Sequence, residues 1–298
     1  MAGLRCWIAY ASIVGVAVTA GCARRDPIAA TASLTLNRNI VPIGGPVDIT
    51  LRFDVARGAP AFPEDGRVLM RLLFDDGELM GNYDHDPPTP TRNWQPGAPV
   101  RYTQRIFVPD VPYIGNVPIV VGLYSSGSHK RLRLSGKDGG GRTYKAGMLT
   151  FRASTTLLRL TEGWHQTEHS ADLPTEWRWT EGHASMTVQN PHHDSVLYVR
   201  ADGRPDLFAA PQEVTIVRGD RIIQRFVVMS AAPTDYDLPL SADDLGSEED
   251  VKLTLKIDKS FVPARVRGGG SDTRTLGIRV FNAFLEPRST LGGPPIRD

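Results

Sequence analysis

The tryptophans in the second half of the chain are the side chains best suited to bind a ligand. Trp177 and Trp179 lie two positions apart, so on a strand they point to one face and Arg178 points to the other. Large aromatic rings offer flat apolar faces on which sugar rings stack, and a polar rim fixes the orientation. The pair therefore predicts a stacking platform. The alternative is that both rings fill the core of a domain.

Two charged residues next to a glycine loop form a second candidate. Asp272 and Arg274 follow Gly268-Gly269-Gly270. They form either an ion pair that fastens the loop or part of the wall of a ligand groove. We expect Trp164 to meet this region, because both segments flank terminal strands of one domain. The candidate ligand-binding residues are thus Trp164, Trp177, Trp179, Asp272 and Arg274.

The residues that catalysis or metal binding would need are present, but they form no recognisable site. Glu162, Glu168, Glu176 and Glu181 lie near the tryptophans. A glycosidase needs two carboxyl groups about 5–10 Å apart, and the sequence singles out no pair. The segment 83–86 (YDHD) could offer oxygen ligands to a hard cation, but it supplies too few of them. We interpret this segment as a solvated loop.

Two further motif classes are missing from the sequence. There is no G-x-S-x-G nucleophile motif, and Gly139-Gly140-Gly141 lacks the Lys-Ser/Thr of a phosphate-binding Walker loop. We therefore expect no catalytic residue, no bound metal and no cofactor.

The N-terminal region has the pattern of an export signal. Arg5 precedes an uncharged run over residues 6–23, which is short for a membrane span of about 20 apolar residues. The residues Val18-Thr19-Ala20-Gly21 before Cys22 resemble the lipobox of bacterial lipoproteins. This resemblance implies that residues 1–21 are a signal peptide and that Cys22 becomes the acylated first residue. An ordinary signal peptide cut nearby is the alternative. Ala23 rather than Asp follows the cysteine, which in that class implies the outer membrane of a diderm host, facing the periplasm.

Cysteine and charge content exclude several kinds of function. The chain has 2 cysteines, and Cys6 lies in the leader, so the mature body has no thiol for a disulfide or a thiolate metal site. Lys+Arg number 34 and Asp+Glu 33, and loss of Arg5 with the leader leaves the mature chain neutral. A neutral chain with interspersed charges argues against a nucleic-acid-binding surface. The expected partners are the membrane, through the lipid anchor, and a glycan or another envelope protein.

Alternating apolar and polar residues predict an all-β protein with two domains. After a tether over residues 22–31, residues 32–153 contain six or seven predicted strands. In one of them, 47–53, Val, Ile, Leu and Phe alternate with Asp, Thr and Arg. Such a series of short strands with turn signals between them is typical of an immunoglobulin-like sandwich. The stretch 67–74 is more continuously apolar, and its β-rich surroundings favour a strand over a short helix.

Residues 154–287 predict a second sandwich. Aliphatic residues alternate strictly with Lys and Thr at 251–257, and Arg218-Gly219-Asp220 predicts a hairpin turn. Since no helical period lasts beyond two turns, an antiparallel jelly-roll-like β-sandwich fits best. Residues 288–298 carry no apolar period and predict a disordered tail.

Two sets of motifs resemble modules of a bacterial family. In the first half they are Trp94-Gln95-Pro96-Gly97, Tyr102, Pro109-Asp110-Val111-Pro112, Val121-Gly122-Leu123-Tyr124 and Arg131-Leu132. In the second half they are Gly163-Trp164, Trp177-Arg178-Trp179-Thr180, Phe261-Val262-Pro263 and the run 272–277 (DTRTLG). They resemble β-sandwich modules of exported bacterial lipoproteins and the extracytoplasmic accessory domains attached to membrane glycosyltransferases. The family has no established activity, so the resemblance assigns no catalytic residue.

These observations predict a non-catalytic, lipid-anchored envelope protein that binds or scaffolds, with glycan or polysaccharide-assembly machinery as its partner. Two alternatives stay open. A purely structural docking subunit of another envelope complex would expose an apolar patch of several hundred Å². A carbohydrate-active hydrolase would instead place a pair of carboxylates beside Trp177.

Overall fold

The structure is a computed structural model that describes residues 26–59, 62, 65–170, 175–268 and 270–288. The predicted signal peptide, residues 22–25 of the predicted tether (Cys22 among them) and the predicted tail beyond residue 288 lie outside the described residues. The last two residues of the predicted tether, 30 and 31, belong to the first strand. Strands account for 52% of the structure and helices for 5%, which confirms the all-β class. Among the described residues, no helix has the length and apolar character that crossing a membrane requires.

The first half of the described chain is a sandwich of two sheets. Its strands are β1 Ala30–Leu36, β2 Ile40–Pro42, β3 Pro46–Val55, β4 Gly66–Leu73, β5 Leu79–Asn82, β6 Pro99–Phe107, β7 Gly115–Ser125, β8 Leu134–Ser135 and β9 Tyr144–Arg152. One sheet has the order β6-β3-β1-β8 and the other β2-β9-β7-β4-β5. β1 pairs antiparallel with β3, whereas β2 crosses to the second sheet and runs parallel to β9. This arrangement confirms the predicted immunoglobulin-like sandwich.

Alternation along β3 shows how the first sandwich closes. Val47, Ile49, Leu51 and Phe53 are each at most 1% exposed, and the residues between them point away from the core. Trp94 packs on Phe53 with 5.1 Å between ring centroids. Each fully buried side chain of this kind contributes about 1.5–3 kcal/mol, so this strand is a main source of the stability of the domain.

The second half is also a sandwich, with a different topology. Its strands are β10 Leu158–Leu160, β11 Glu168–His169, β12 Glu176–Trp179, β13 His183–Gln189, β14 Ser195–Asp202, β15 Gln212–Arg218, β16 Arg221–Val228, β17 Thr234–Leu240, β18 Asp250–Ile257 and β19 Arg279–Pro287. The two sheets have the orders β10-β13-β18-β15-β16 and β11-β12-β19-β14-β17. A short helix, α1, spans Ala242–Leu245, and 3₁₀ turns span Thr91–Asn93, Pro205–Leu207 and Pro263–Arg265.

The pairing of strands in this second sandwich is nested. Four antiparallel pairs are nested one inside the next: β12 with β19, β13 with β18, β14 with β17 and β15 with β16. The chain thus resembles one long hairpin folded over itself. From β12 to β19, successive strands alternate between the two sheets except at the innermost hairpin, where β15 and β16 share a sheet. That is the topology of a jelly roll, as the sequence predicted.

Each sandwich has a hydrophobic core of its own. The two clusters of buried apolar side chains share no residue. In the second cluster, Val251, Leu253, Leu255 and Ile257 all point inward from β18. The chain passes from one sandwich to the other between the end of β9 and the start of β10.

The structure differs from the predicted strands at several places. β1 begins two residues before the predicted strand because Ala30, which is fully buried, already pairs with Val55 of β3. Strands β2, β5, β8, β11 and β17 were not anticipated from the sequence. β17 contains Asp235, Asp237 and Pro239, which disfavour strands, but it lies at the edge of its sheet, where a proline is tolerated.

Arginine side chains connect the two sandwiches. Arg105 on β6 forms an ion pair with Asp237 on β17. Arg200 on β14 donates from Nη2 to the main-chain carbonyl of Arg105 at 2.8 Å. Nη1 of Arg38 lies 2.6 Å from Oε1 of Glu286. These charged contacts fix the second sandwich against the first.

Candidate functional site

Trp177 and Trp179 lie on the outer face of the second sandwich. Arg178 pairs with Val280, and Trp179 pairs with Arg279. Since directly paired residues point to the same side and Val280 belongs to the core, the two tryptophans point outward with Arg279. Both rings are half-buried and belong to neither core. They are therefore placed for contact with a ligand or with other surface side chains.

The guanidinium of Arg279 lies against both rings. Its Cζ is 5.1 Å from the ring centroid of Trp177 and 5.6 Å from that of Trp179. It is also 5.4 Å from the ring centroid of Phe281. A cation is attracted to the faces of aromatic rings at such distances. The two tryptophans therefore share a cation instead of forming one open platform as predicted.

A recess of about 320 Å³ begins beside Trp179. We call it the aromatic groove, and its wall includes Trp179, Phe261, Glu168, Arg204, Asp272 and Arg274. The rings of Trp179 and Phe261 meet edge to face, with 5.7 Å between centroids and 79° between planes. Cζ of Arg204 lies 5.6 Å from the Phe261 ring. One side of the groove is thus aromatic.

The other side of the groove is charged. Nη2 of Arg274 lies 2.7 Å from Oδ2 of Asp272 and 2.8 Å from Oε1 of Glu168. The backbone N–H of Arg274 also donates to Oδ1 of Asp272 at 2.9 Å. Hydrogen bonds from the side chain and backbone of Arg274 lower the pKa of Asp272 to about 2. Asp272 and Arg274 therefore form an ion pair and also line the groove, which combines the two interpretations left open by the sequence.

Two neighbouring carboxylates beside an aromatic ring resemble part of a retaining glycosidase site. Such an enzyme needs one carboxyl group that stays protonated at working pH, which requires a raised pKa. Arg274 has the opposite effect on Asp272, whose pKa it lowers to about 2. The same guanidinium contacts Glu168. Asp272 is therefore suited to accept hydrogen bonds from a ligand rather than to donate a proton.

Trp164 has a different environment from the other two tryptophans. Its Nε1–H donates to the backbone carbonyl of Ser185 at 2.7 Å, and its ring packs against the second core. The neighbouring His165 contacts the carbonyl of Thr275 through Nε2 at 2.8 Å, so the segments expected to meet do so. Trp164 itself supports the fold and is not part of the aromatic groove.

Sequence reasoning missed Arg204 and Arg279 as members of this region. Arg204 contacts the Phe261 ring and Arg279 contacts the two tryptophans because the fold makes their strands and loops neighbours. No local sequence pattern indicates either contact. Glu168 was noted only as one of several carboxylates, and it reaches the site because β11 pairs with β12. There its Oε2 accepts a hydrogen bond from Nε1 of Trp177 at 3.2 Å.

The YDHD segment is structural rather than a solvated loop, which corrects the sequence interpretation. Asp84 accepts from the backbone N–H of Met70 at 3.1 Å, and its side chain is only 8% exposed. His85 forms an isolated bridge with Val68 and contacts the Tyr102 hydroxyl at 2.7 Å. Within the described ranges, no group of three or more His, Cys, Asp or Glu side chains is placed to hold a metal ion.

Comparison with known proteins gives weak similarities. No family model matches the chain, and no curated protein matches it. Among solved structures, carbohydrate-binding modules from the β-sandwich superfamily align with 10% identity over 86% of this chain and 98% of that one, with a TM-score of 0.24. A collagen adhesin from S. aureus aligns with 11% identity over 87% of this chain and 96% of that one, with a TM-score of 0.19.

A third solved structure is longer than the aligned region. The Pseudomonas fluorescens alkylpurine DNA glycosylase AlkC aligns with 13% identity over 42% of this chain, with a TM-score of 0.24. The match spans 31% of the length of that protein. At TM-scores this low, the alignments by themselves assign no function to this protein.

Proposed function

We propose that this protein is a non-catalytic, lipid-anchored protein of the bacterial cell envelope that binds a saccharide in the aromatic groove. The observation that carries the proposal is the juxtaposition of two aromatic rings, Trp179 and Phe261, with fixed charged groups around one recess. Its partner in the envelope is glycan or polysaccharide-assembly machinery.

The groove has the chemistry that a sugar requires. Its volume of about 320 Å³ lies at the lower end of the range for ligand sites, about 300–1,000 Å³. Trp179 and Phe261 supply apolar surface for the C–H groups of a sugar ring. Arg204, Arg274 and Asp272 supply charged donors and acceptors for hydroxyl or carboxylate substituents. Because Arg274 is already held by two carboxylates, the polar wall is preorganised.

Tryptophan fluorescence tests this binding. Titration with defined neutral and acidic oligosaccharides of bacterial envelopes should change the emission of the protein. Trp179→Ala should weaken binding about two- to tenfold, as expected for an aromatic contact worth about 0.5–1.5 kcal/mol. Trp164→Phe is the matched control, because Trp164 packs on the core and its replacement should leave affinity unchanged. Unchanged emission across the whole panel would contradict the proposal.

The lipid anchor is tested separately by mass spectrometry of the protein expressed in an exporting bacterium. The expected N-terminus is Cys22 carrying acyl chains, of which two or more give stable attachment to a bilayer. Cys22→Ser should abolish the acylated product. Recovery of the polypeptide with an intact Met1 in the cytosol would rule the anchor out.

A second candidate function, a docking subunit of an envelope complex, is favoured by one edge of the second sandwich. β16 is an edge strand, and near it Ile222, Val227 and Met229 are 51%, 40% and 69% exposed. Exposed apolar residues along a sheet edge are suited to pairing with another chain. A photocrosslinking residue at position 227 should give one discrete adduct in intact cells if this edge docks. Absence of any adduct would leave saccharide binding as the better-supported role.

A further inference from the structure

Positive charge is concentrated in one loop of the first sandwich. Residues 130–145, which follow the turn after β7, include β8 and end at the second residue of β9, contain a single acid, Asp138. We call this segment the basic loop, and its cations are Lys130, Arg131, Arg133, Lys137, Arg142 and Lys145. The whole chain has a net charge of only +1, so this local excess is offset by acids elsewhere on the protein.

The chain segment that follows the predicted anchor is fastened to this loop. Nη2 of Arg142 lies 2.6 Å from Oδ2 of Asp26, and Nζ of Lys130 lies 3.9 Å from it. Arg133 donates from Nη1 to the carbonyl of Asp26 at 3.1 Å. The backbone N–H of Ala29 donates to the carbonyl of Arg133 at 2.8 Å. The polypeptide therefore enters the first sandwich at the basic loop.

Much of the charge in the loop is available to a partner. The side chain of Lys130 is 68% exposed, and Lys137 and Lys145 are exposed as well. Asp26 and Asp138 offset only part of the six positive charges. A recess of about 400 Å³ in this region is lined by both Arg133 and Arg142 and by the carboxylates of Asp26 and Asp138. An anionic surface would therefore meet the exposed lysines first.

The predicted anchor lies very close to this loop along the chain. Cys22 precedes Asp26 by four residues, and an extended chain of that length spans at most about 14 Å. Anionic lipid headgroups attract clustered Lys and Arg, and the attraction decays over a Debye length of about 8–10 Å. An acyl chain on Cys22 would therefore hold the basic loop near the range in which headgroup charge acts on it.

We propose that the basic loop docks on the anionic headgroups of the membrane that holds the anchor and thereby orients the first sandwich against the bilayer. This inference rests on the proposed lipid anchor. The chemistry recognised is the lipid phosphate, presented as a surface by phosphatidylglycerol or cardiolipin. The loop has the high positive charge and the position that such a surface requires.

Site-specific fluorescence on the full chain tests the orientation. The mature sequence has no cysteine other than Cys22, so Ser126→Cys provides one thiol for labelling beside the loop. Asp220→Cys, in the turn between β15 and β16, provides a label on the second sandwich. The acylated protein is reconstituted into phosphatidylcholine vesicles with or without 30% phosphatidylglycerol, in which the headgroups carry a quencher. Quenching at position 126 should be strong only with the anionic lipid, and quenching at position 220 should stay weak.

Charge variants distinguish docking from a general surface effect. Lys130→Gln/Lys137→Gln should lower the equilibrium constant for docking about 30-fold, because each cation near an anionic surface raises that constant about fivefold. Its quenching should then match that in neutral vesicles. Lys252→Gln/Lys256→Gln is the matched control, since it removes the same charge from exposed positions of β18 and should retain full quenching. Equal quenching in neutral and anionic vesicles, or full quenching in the loop variant, would overturn the inference.

Vesicle flotation separates failure of this inference from failure of the anchor. Protein that floats with neutral vesicles but shows no charge-dependent quenching is anchored without docking, which overturns only the inference. Protein that floats with anionic vesicles alone lacks the anchor but retains docking. Protein that floats with neither overturns both. Quenching that is abolished by a soluble acidic polysaccharide at low concentration, with no vesicle preference, would make the loop a polysaccharide site and would also overturn lipid docking.

Discussion

Arg279 and Asp202 form a two-pronged ion pair beside Trp177 and Trp179. Nε of Arg279 lies 2.7 Å from Oδ1 of Asp202, and Nη2 lies 2.5 Å from Oδ2. The carboxylate is 0% exposed, whereas the arginine is 27% exposed. Arg279 thus neutralises a buried charge on one side and supports Trp177 and Trp179 on the other.

Removal of Arg279 should destabilise the second sandwich strongly. Arg279→Ala leaves the carboxylate of Asp202 buried without a partner, which typically costs about 3–5 kcal/mol. Arg279→Lys should recover only part of this loss, because an ammonium group cannot form the planar two-pronged contact. Urea unfolding measures the difference. Arg159→Ala, at an exposed position of β10, should change the free energy of unfolding by less than about 0.5 kcal/mol. A loss below about 1 kcal/mol in Arg279→Ala would show that Asp202 does not depend on the pair.

Local sequence patterns predict the strands of this sandwich better than the contacts between those strands. The strict alternation at 251–257 depends on adjacent residues alone, and β18 and its inward face were predicted correctly. The pair between Arg279 and Asp202 joins residues 77 positions apart and requires the register of β14 against β19. Two tryptophans on one face of β12 were also predictable. The cation between them was not, since it comes from β19, a neighbouring strand.

A glycine near Trp164 should be essential for its position. Gly163 has a φ of +74°, and a Cβ there would overlap the carbonyl oxygen of His183. Gly219, in the hairpin turn, has a φ of +58° with open space around its Cα. Both positions disfavour a side chain through backbone strain, which costs about 1–2 kcal/mol. Only Gly163→Ala adds the steric overlap, which typically costs a further 1–3 kcal/mol or so.

Thermal or urea unfolding of the two variants separates these contributions. Gly219→Ala should lose about 1–2 kcal/mol, and Gly163→Ala should lose about 1–3 kcal/mol more than that. Near-ultraviolet circular dichroism should also change in Gly163→Ala, because the ring of Trp164 would lose its fixed position. Equal stability losses in the two variants would mean that the chain near His183 adjusts without cost.

His85 should make the first sandwich less stable in mild acid. Its Nδ1 lies 2.8 Å from the carbonyl of Tyr83, and its Nε2 lies 2.7 Å from the hydroxyl of Tyr102. These contacts fit a neutral ring that donates from Nδ1 and accepts at Nε2. Burial lowers the pKa of His85 below its usual value, despite the opposing effects of the Tyr83 carbonyl and of Asp84 and Asp86.

The sign of the pH effect follows from this shift. Because the pKa of His85 is lower in the folded protein, the unfolded chain binds the proton first as the pH falls below about 6.5. The free energy of unfolding should therefore decrease from pH 7 toward pH 5. His85→Gln should be less stable than the parent protein at pH 8, and its stability should fall less steeply with acid. Parallel stability curves for the two proteins would exclude His85 as the titrating group.

Arg200 should couple the unfolding of the two sandwiches. Its Nε and Nη2 lie 2.8 Å from the two carboxylate oxygens of Asp235 within the second sandwich. The same Nη2 donates to the carbonyl of Arg105 in the first sandwich, and the guanidinium lies 5.5 Å from the ring of Phe107. Hydrogen bonds from charged groups contribute about 1.5–3 kcal/mol, so Arg200→Ala should lose about that amount. Its calorimetric transition should broaden or split into two.

Arg225→Ala is the control for this prediction. Arg225 is an exposed residue of β16 whose Nε lies 3.9 Å from Oε1 of Glu213, and its replacement should keep the transition of the parent protein. If Arg200→Ala also keeps that shape, the contacts of Arg105 and Arg38 with the second sandwich are sufficient for the coupling.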